Sequence, residues 1–264
     1  MGLVVRQGVW VAVVLVVGGG AVLGMGVARG EGGDAGGGDA VKVLGERLGE
    51  MKDVRTLHAR FVCEKDLALL ETPLVSSGEV WIRRGGEGEK EGGAGSGAAV
   101  RFSTEKPYVS ELILVEGKVY ARSQHEESWS KSNQSSRPGL TAVMGQLGGW
   151  ATGDAGKVSQ MYSVALAAGK EAEIPAVPKE GGELHVEAGG GGKGVDVFVL
   201  TPTNEDLAKA VKKITLAVDR GTGGLEYISI ETEQGDVTRY WFGDVERNGE
   251  LPKDVFEAKE GEAR

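Results

Sequence analysis

Arg84 breaks its own pattern. It shares the parity of Val80 and Ile82 in an alternating run, so a strand continued through it would point a guanidinium onto an apolar face. A guanidinium there needs acceptors, because an unpaired buried charge is costly. The alternative is that the strand ends by Arg84, since Gly85-Gly86 follows, and the side chain lies in water. The pattern alone favours the second reading.

The other residues with reactive side chains carry less. His58 sits on the polar parity of its run, His125 in a polar stretch and His185 on an outer parity, so all three read as solvated. Cys63 has the parity of Phe61 and reads as a small buried hydrophobe. It is the single cysteine, which excludes an intramolecular disulfide. No HExxH or CxxC spacing is present, so no metal site is expected. No G-x-S-x-G elbow and no P-loop occur, and the glycine runs at 92–97 and 189–192 lead into no helical pattern. No two carboxylates pair at positions marked as buried, so acid–base catalysis has no support. Neither an enzyme nor a cofactor is expected.

The chain has 264 residues, 30 basic and 39 acidic, with a net charge of −9. That balance argues against nucleic acid and against charge-driven anchoring on anionic lipid. Residues 1–28 have the layout of a secretory signal peptide: Arg6, an apolar run from Val9 to Leu23, then Gly26-Val27-Ala28 before a cleavage site. An uncleaved anchor is the competing reading, since Val9–Ala28 is long enough to span a bilayer. Residues 29–39 read as a flexible linker. The mature domain, 40–258, is expected outside the cytoplasm, in a bacterial periplasm, with 259–264 as a tail.

Val41, Leu44, Leu48 and Met51 are spaced 3, 4 and 3, which predicts an amphipathic helix over about 40–52. After it the period changes to two. Alternation marks strands at 57–63, 80–82, 100–102, 109–115 and 118–123. Further strands are expected at 162–166, 184–187, 195–201, 214–219, 225–231 and 237–242. Between the two sets, Leu140, Val143, Met144, Leu147 and Trp150 recur at helical spacing. Residues 85–98 have a Gly/Glu/Lys/Ser composition and read as a solvated, disordered insertion; 168–182 reads as a shorter, partly ordered one. The expected fold is mainly β (α+β): one strongly curved antiparallel sheet of about ten or eleven strands, a half-open barrel with helices over its concave face.

This order of elements resembles the LolA-like periplasmic lipoprotein carriers. The stretches that carry it are Thr56–Phe61 with Glu64-Lys65, Gly78–Arg84, Leu114–Tyr120, Phe198–Pro202, Gly235–Thr238 and Asp254–Phe256. The resemblance covers nearly the whole mature chain. It lacks the proline expected after Arg84, where the glycine-rich insertion stands. The resemblance implies a lid over 140–150 and a cavity for lipoprotein acyl chains, walled by Val80, Ile82, Val100 and Phe102. It implies an inner-membrane ABC-type release complex and an outer-membrane acceptor as partners, and Arg84 as a latch donating to lid carbonyls, reversing the reading from parity. The expected function is non-enzymatic transport of lipoproteins between the membranes by a monomer. A lipid- or lipoprotein-sensing regulatory domain of the same fold is the alternative, and a secreted hydrolase a third.

Overall fold

In the computed structural model, the described residues are 37–84, 99–115, 118–123, 130–132, 155–185 and 194–258. The expected signal peptide, the 85–98 insertion and the helical stretch 140–150 lie outside them.

Helix α1 spans Gly37–Gly49. It starts inside the segment read as linker, so Gly37, Gly38 and Asp39 form its first turn. Ala40, Leu44, Leu48 and Met51 are buried to within a few per cent, while Val41 is only partly covered. Among the described residues there are eleven strands: β1 (Thr56–Asp66), β2 (Leu74–Arg83), β3 (Ala99–Lys106), β4 (Ser110–Val115), β5 (Lys118–Ser123), β6 (Ser130–Ser132), β7 (Tyr162–Leu166), β8 (Val195–Pro202), β9 (Lys213–Asp219), β10 (Leu225–Glu231) and β11 (Val237–Arg247). Short helices α2 (Ala155–Met161) and α3 (Glu205–Ala208) precede β7 and β9.

All strands join one antiparallel sheet in the order β6-β5-β4-β3-β2-β1-β11-β10-β9-β8-β7. Two meanders, β1–β6 and β7–β11, are sewn together where β1 meets β11. The outermost strands are not neighbours, so the sheet stays open. Gly78 shows how tightly β2 and β3 approach at a register shift beside it. A Cβ there would lie 1.9 Å from the Ser103 carbonyl oxygen, so no larger residue fits without displacing backbone.

The main core lies on the concave face. Side chains of alternate parity from β1, β2, β3 and β8–β11 gather there with Leu44 and Leu48 of α1. Arg47 and Arg220 both donate to Asp196 at 2.7 Å and tie α1 to the start of β8. Burial pushes the Asp196 carboxyl up, but the hydrogen bonds from Arg47 and Arg220 outweigh it and hold it below its ordinary range.

The convex face is also covered, which the sequence did not lead one to expect. Residues 167–185, where an insertion over 168–182 and a strand over 184–187 are expected, form a strap with two tight turns, Gly169–Ala172 and Lys179–Gly181. Leu184 and His185 belong to no strand; the His185 carbonyl accepts from Asp244 N at 2.8 Å. Ala172, Ile174, Val177 and Leu184 pack on Val62, Val195, Val197, Tyr227 and Trp241. Trp241 Nε1 donates to the Pro175 carbonyl at 2.9 Å. The strap crosses the strands instead of running along one, so its apolar residues show no period. Farther along this face, Val255 and Phe256 pack on Ala99 and Trp81.

His58 is corrected by the same face. It is not freely solvated but stacks on Trp81, its cross-strand partner, with ring centres 5.1 Å apart.

Candidate functional site

A cavity opens on the concave face beside the β1–β11 seam. Its empty volume is about 590 Å³, open mouth included. Leu57 and Ala59 of β1, Val80 and Ile82 of β2, Phe102 of β3, and Phe242 and Val245 of β11 make an apolar wall, with Met51 after α1. Leu225, Glu226 and Arg247 border the end near the β9–β10 turn. The strand alternation does this: on β1 every second residue from Leu57 points to the same side, so one face of the seam is apolar.

Of the wall residues singled out from sequence, Val80, Ile82 and Phe102 border this cavity. Val100 shares their parity and is buried in the adjoining core, 1 % exposed. Leu140, Val143, Met144, Leu147 and Trp150 fall outside the described residues. Met51, Leu57, Ala59, Phe242 and Val245 were not singled out. Their signal was present in the parity of the Leu57 and Val237–Phe242 runs, but which of a strand's inward residues border free space depends on where α1 stops.

Arg84 stands at the rim, half-buried, just past the end of β2. Its backbone N–H donates to the Arg55 carbonyl at 2.8 Å, and its Nη1 donates to the Lys52 carbonyl in the turn after α1. The guanidinium therefore ties the turn carrying Met51 to the β2 terminus. The expected lid acceptors lie outside the described residues.

Deeper along the face, Phe61, Phe102 and Tyr240 form an aromatic cluster, with ring centres 5.5–6.1 Å apart. Tyr240 also stacks on Phe242. Beyond the cluster the lining turns polar. Burial drives the Tyr240 phenol well above its usual range, reinforced by hydrogen-bonded Cys63. Burial likewise pushes the Cys63 thiol up and the Lys65 ammonium down. A thiol held protonated in this way is a poor nucleophile. Among the described residues no cluster of three or more His, Cys, Asp or Glu could hold a metal.

The landmark stretches fall on elements of this sheet in chain order. Thr56–Lys65 lies in β1, Gly78–Arg83 closes β2, and Phe198–Pro202 closes β8. Leu114–Tyr120 spans the β4–β5 connection, where Val115 pairs with Lys118. This is the order of elements that the resemblance implies.

No protein-family model and no curated protein matches the chain. Solved structures match at low identity. MucB in the Pseudomonas aeruginosa MucA/MucB complex is 16 % identical at a TM-score of 0.44, over 83 % of this chain and 61 % of that one. LprF from Mycobacterium bovis is 12 % identical at 0.42, over 83 % and 99 %. A LolA superfamily protein from Nitrosomonas europaea is 10 % identical at 0.36, over 83 % and 97 %. The chain thus spans about three fifths of the MucB chain it matches. These are distant likenesses, and the reading of the site rests on its own geometry.

Proposed function

We propose that this protein is a non-enzymatic carrier that takes acyl chains of lipoproteins into its concave cavity and moves them across a periplasm. The observation that carries the reading is the cavity itself. It is walled almost wholly by Leu, Ile, Val, Ala, Met and Phe, and it borders the main buried core. Interiors are normally close-packed, so apolar space of this kind is suited to an apolar guest. Each methylene buried there returns about 0.8 kcal/mol. The leader-like first 28 residues support an extracytoplasmic site of action. Cargo arriving from an inner-membrane ABC-type complex and leaving to an outer-membrane acceptor completes the proposal. In it Arg84 latches the rim, by a few hydrogen bonds that incoming chains can outweigh.

Native mass spectrometry of the protein purified from a periplasmic extract tests this. Adducts with the masses of triacylated lipoproteins, lost when Phe102→Ser and Ile82→Ser are combined in a folded variant, are expected. A protein that carries no lipid and takes up no acylated peptide when incubated with it would overturn the carrier reading. Lipid retained without transfer to outer-membrane vesicles would point to a sensing domain instead.

A further inference from the structure

We propose that the pole of the sheet farthest from the cavity seats on a bilayer surface of zwitterionic headgroups, through the turns that join β1 to β2 and β3 to β4. The seat does not depend on what the cavity holds.

Six large apolar side chains stand exposed among the described residues, and five of them lie at this pole. Leu69 is 97 % exposed, with Leu70, Leu74, Tyr108 and Val109 each about half so. Single apolar residues scattered over a surface are ordinary, but a cluster of them is not. The register brings these together. Leu74 pairs with Lys65, and Lys106 with Ser77, so the two turns leave the sheet at the same end on neighbouring hairpins. The first turn is not loose chain. The Leu70 N–H donates to the Leu67 carbonyl at 2.8 Å, and the Ala68 N–H to the Asp236 carboxylate at 2.8 Å. The fold therefore holds Leu69 out at an apex. The cavity lies at the other end of β1, where Leu57 borders it. From Leu57 to Asp66 the strand runs nine residues, roughly 30 Å at about 3.3 Å each. The apolar turns are thus no part of the cavity's wall.

Size and charge say what covers these turns. A stable protein interface takes about 20–30 residues and about 800 Å² from each partner. Five side chains on two turn tips fall far short of that. A bilayer accepts separate protruding side chains, and binding grows with the apolar area sunk into it. Leucine suits the depth below the headgroups, and tyrosine suits their level. The charged residues beside the turns are Lys65, Asp66, Glu71, Glu105 and Lys106, three acids against two bases. The whole chain carries −9. An anionic leaflet gains nothing from such a surface, because attraction to it needs clustered Lys and Arg. Zwitterionic headgroups fit, with apolar burial as the driving force. A molecule seated this way directs the cavity end of β1 away from the membrane.

Flotation of the protein, purified from a periplasmic extract, with phosphatidylcholine vesicles tests this. Binding is expected to be insensitive to salt, and no stronger when phosphatidylglycerol is added at low salt. Leu69→Glu combined with Leu70→Glu should lower the partition about tenfold or more, as the loss of buried leucine implies. Its Tm should not change, since these side chains lie outside the core. Leu166→Glu, at the exposed leucine of β7, should leave the partition as it was. A local reading excludes binding through some other segment. The single native cysteine, Cys63, is buried. A polarity-sensitive dye on Leu69→Cys should therefore shift to the blue when vesicles are added, and the same dye on Leu166→Cys should not. A partition that survives the double change, an unmoved dye at position 69, or binding to anionic vesicles alone overturns the proposal. Self-association that the double change abolishes would put a second copy on this pole and overturn it as well. None of these outcomes touches the acyl cavity, and a cavity that takes up no lipid leaves this seat standing.

Discussion

Over β8, β9 and β10 the concave face is filled; over β1, β2 and β11 it is hollow. In the filled part Phe198, Leu200, Ile214, Leu216 and Ile228 have no measurable exposure, and they share one cluster with Leu44 and Leu48 of α1. In the hollow part Leu57 and Phe102 are only partly buried and border the cavity. Both parts use the same strand alternation. The difference is the helix. The α1 stripe supplies side chains that reach into the curve, and it ends at Gly49, so of the described residues in and just after the helix only Met51 borders the hollow part. A curved sheet closes on itself incompletely, and what is laid in its concavity decides which portion is core and which is receptacle.

The largest effect should come from emptying the filled part. Leu216→Ala is expected to cost about 3–5 kcal/mol, because neighbours packed on all sides cannot collapse into the gap. Ile82→Ala, at the wall of an existing cavity, should cost about 2 kcal/mol or less and enlarge the volume open to an apolar dye. Urea unfolding of both variants checks this. Equal costs would mean that the hollow is closed in solution and that the contrast does not exist.

A smaller effect concerns how α1 is held. The Asp196 carboxyl is depressed by Arg47 and Arg220, so its contribution is fully present above the ordinary aspartate value and is lost as pH falls through the lower folded value. Stability of the wild type should therefore decline below about pH 4 more steeply than that of Asp196→Asn. At neutral pH the variant should be weaker by about 1–2 kcal/mol, given that Arg220 is half exposed. Coincident acid limbs for the two proteins would remove the latch from the account of why that part is filled.

The elements were legible where burial is one-sided. The spacing of Leu44 and Leu48 gave α1, and alternation in 57–63 and 237–242 gave the seam strands. The convex cover was not legible, although its cause was visible. Val195, Val197, Phe198 and Leu200 form an apolar stretch whose residues are buried on both faces. Val62 and Trp241 are apolar on the parity otherwise given to water. Those residues required a cover, but the strap that supplies it crosses strands at an angle and so carries no period of its own. The cavity was legible as a face and not as a volume, because Val80 and Val100 have one parity while only Val80 borders free space.

The smallest effect is expected from the glycine-rich connection between β2 and β3. Replacing residues 85–97 by a tight turn should shift Tm by no more than a few degrees, since loop-closure entropy changes by only about 0.6 kcal/mol per doubling of length. A differential scan of the shortened protein measures it. A large drop would show that this connection packs against the hollow part and that the part is less open than described.

The seam between the meanders sets the order of assembly. Each meander joins strands that are close in the chain, but Arg55 and Asn248, hydrogen-bonded across the seam, are 193 positions apart. Local hairpins form early and distant pairings late, because the entropy of closing a long loop must be spent before any contact rewards it. A chain delivered amino end first therefore exposes the edge of β1, with its apolar Phe61 side, until the final strand arrives. That interval is when a holding chaperone would matter most, and a cut anywhere in β11 should leave the nascent protein aggregation-prone and not merely less stable.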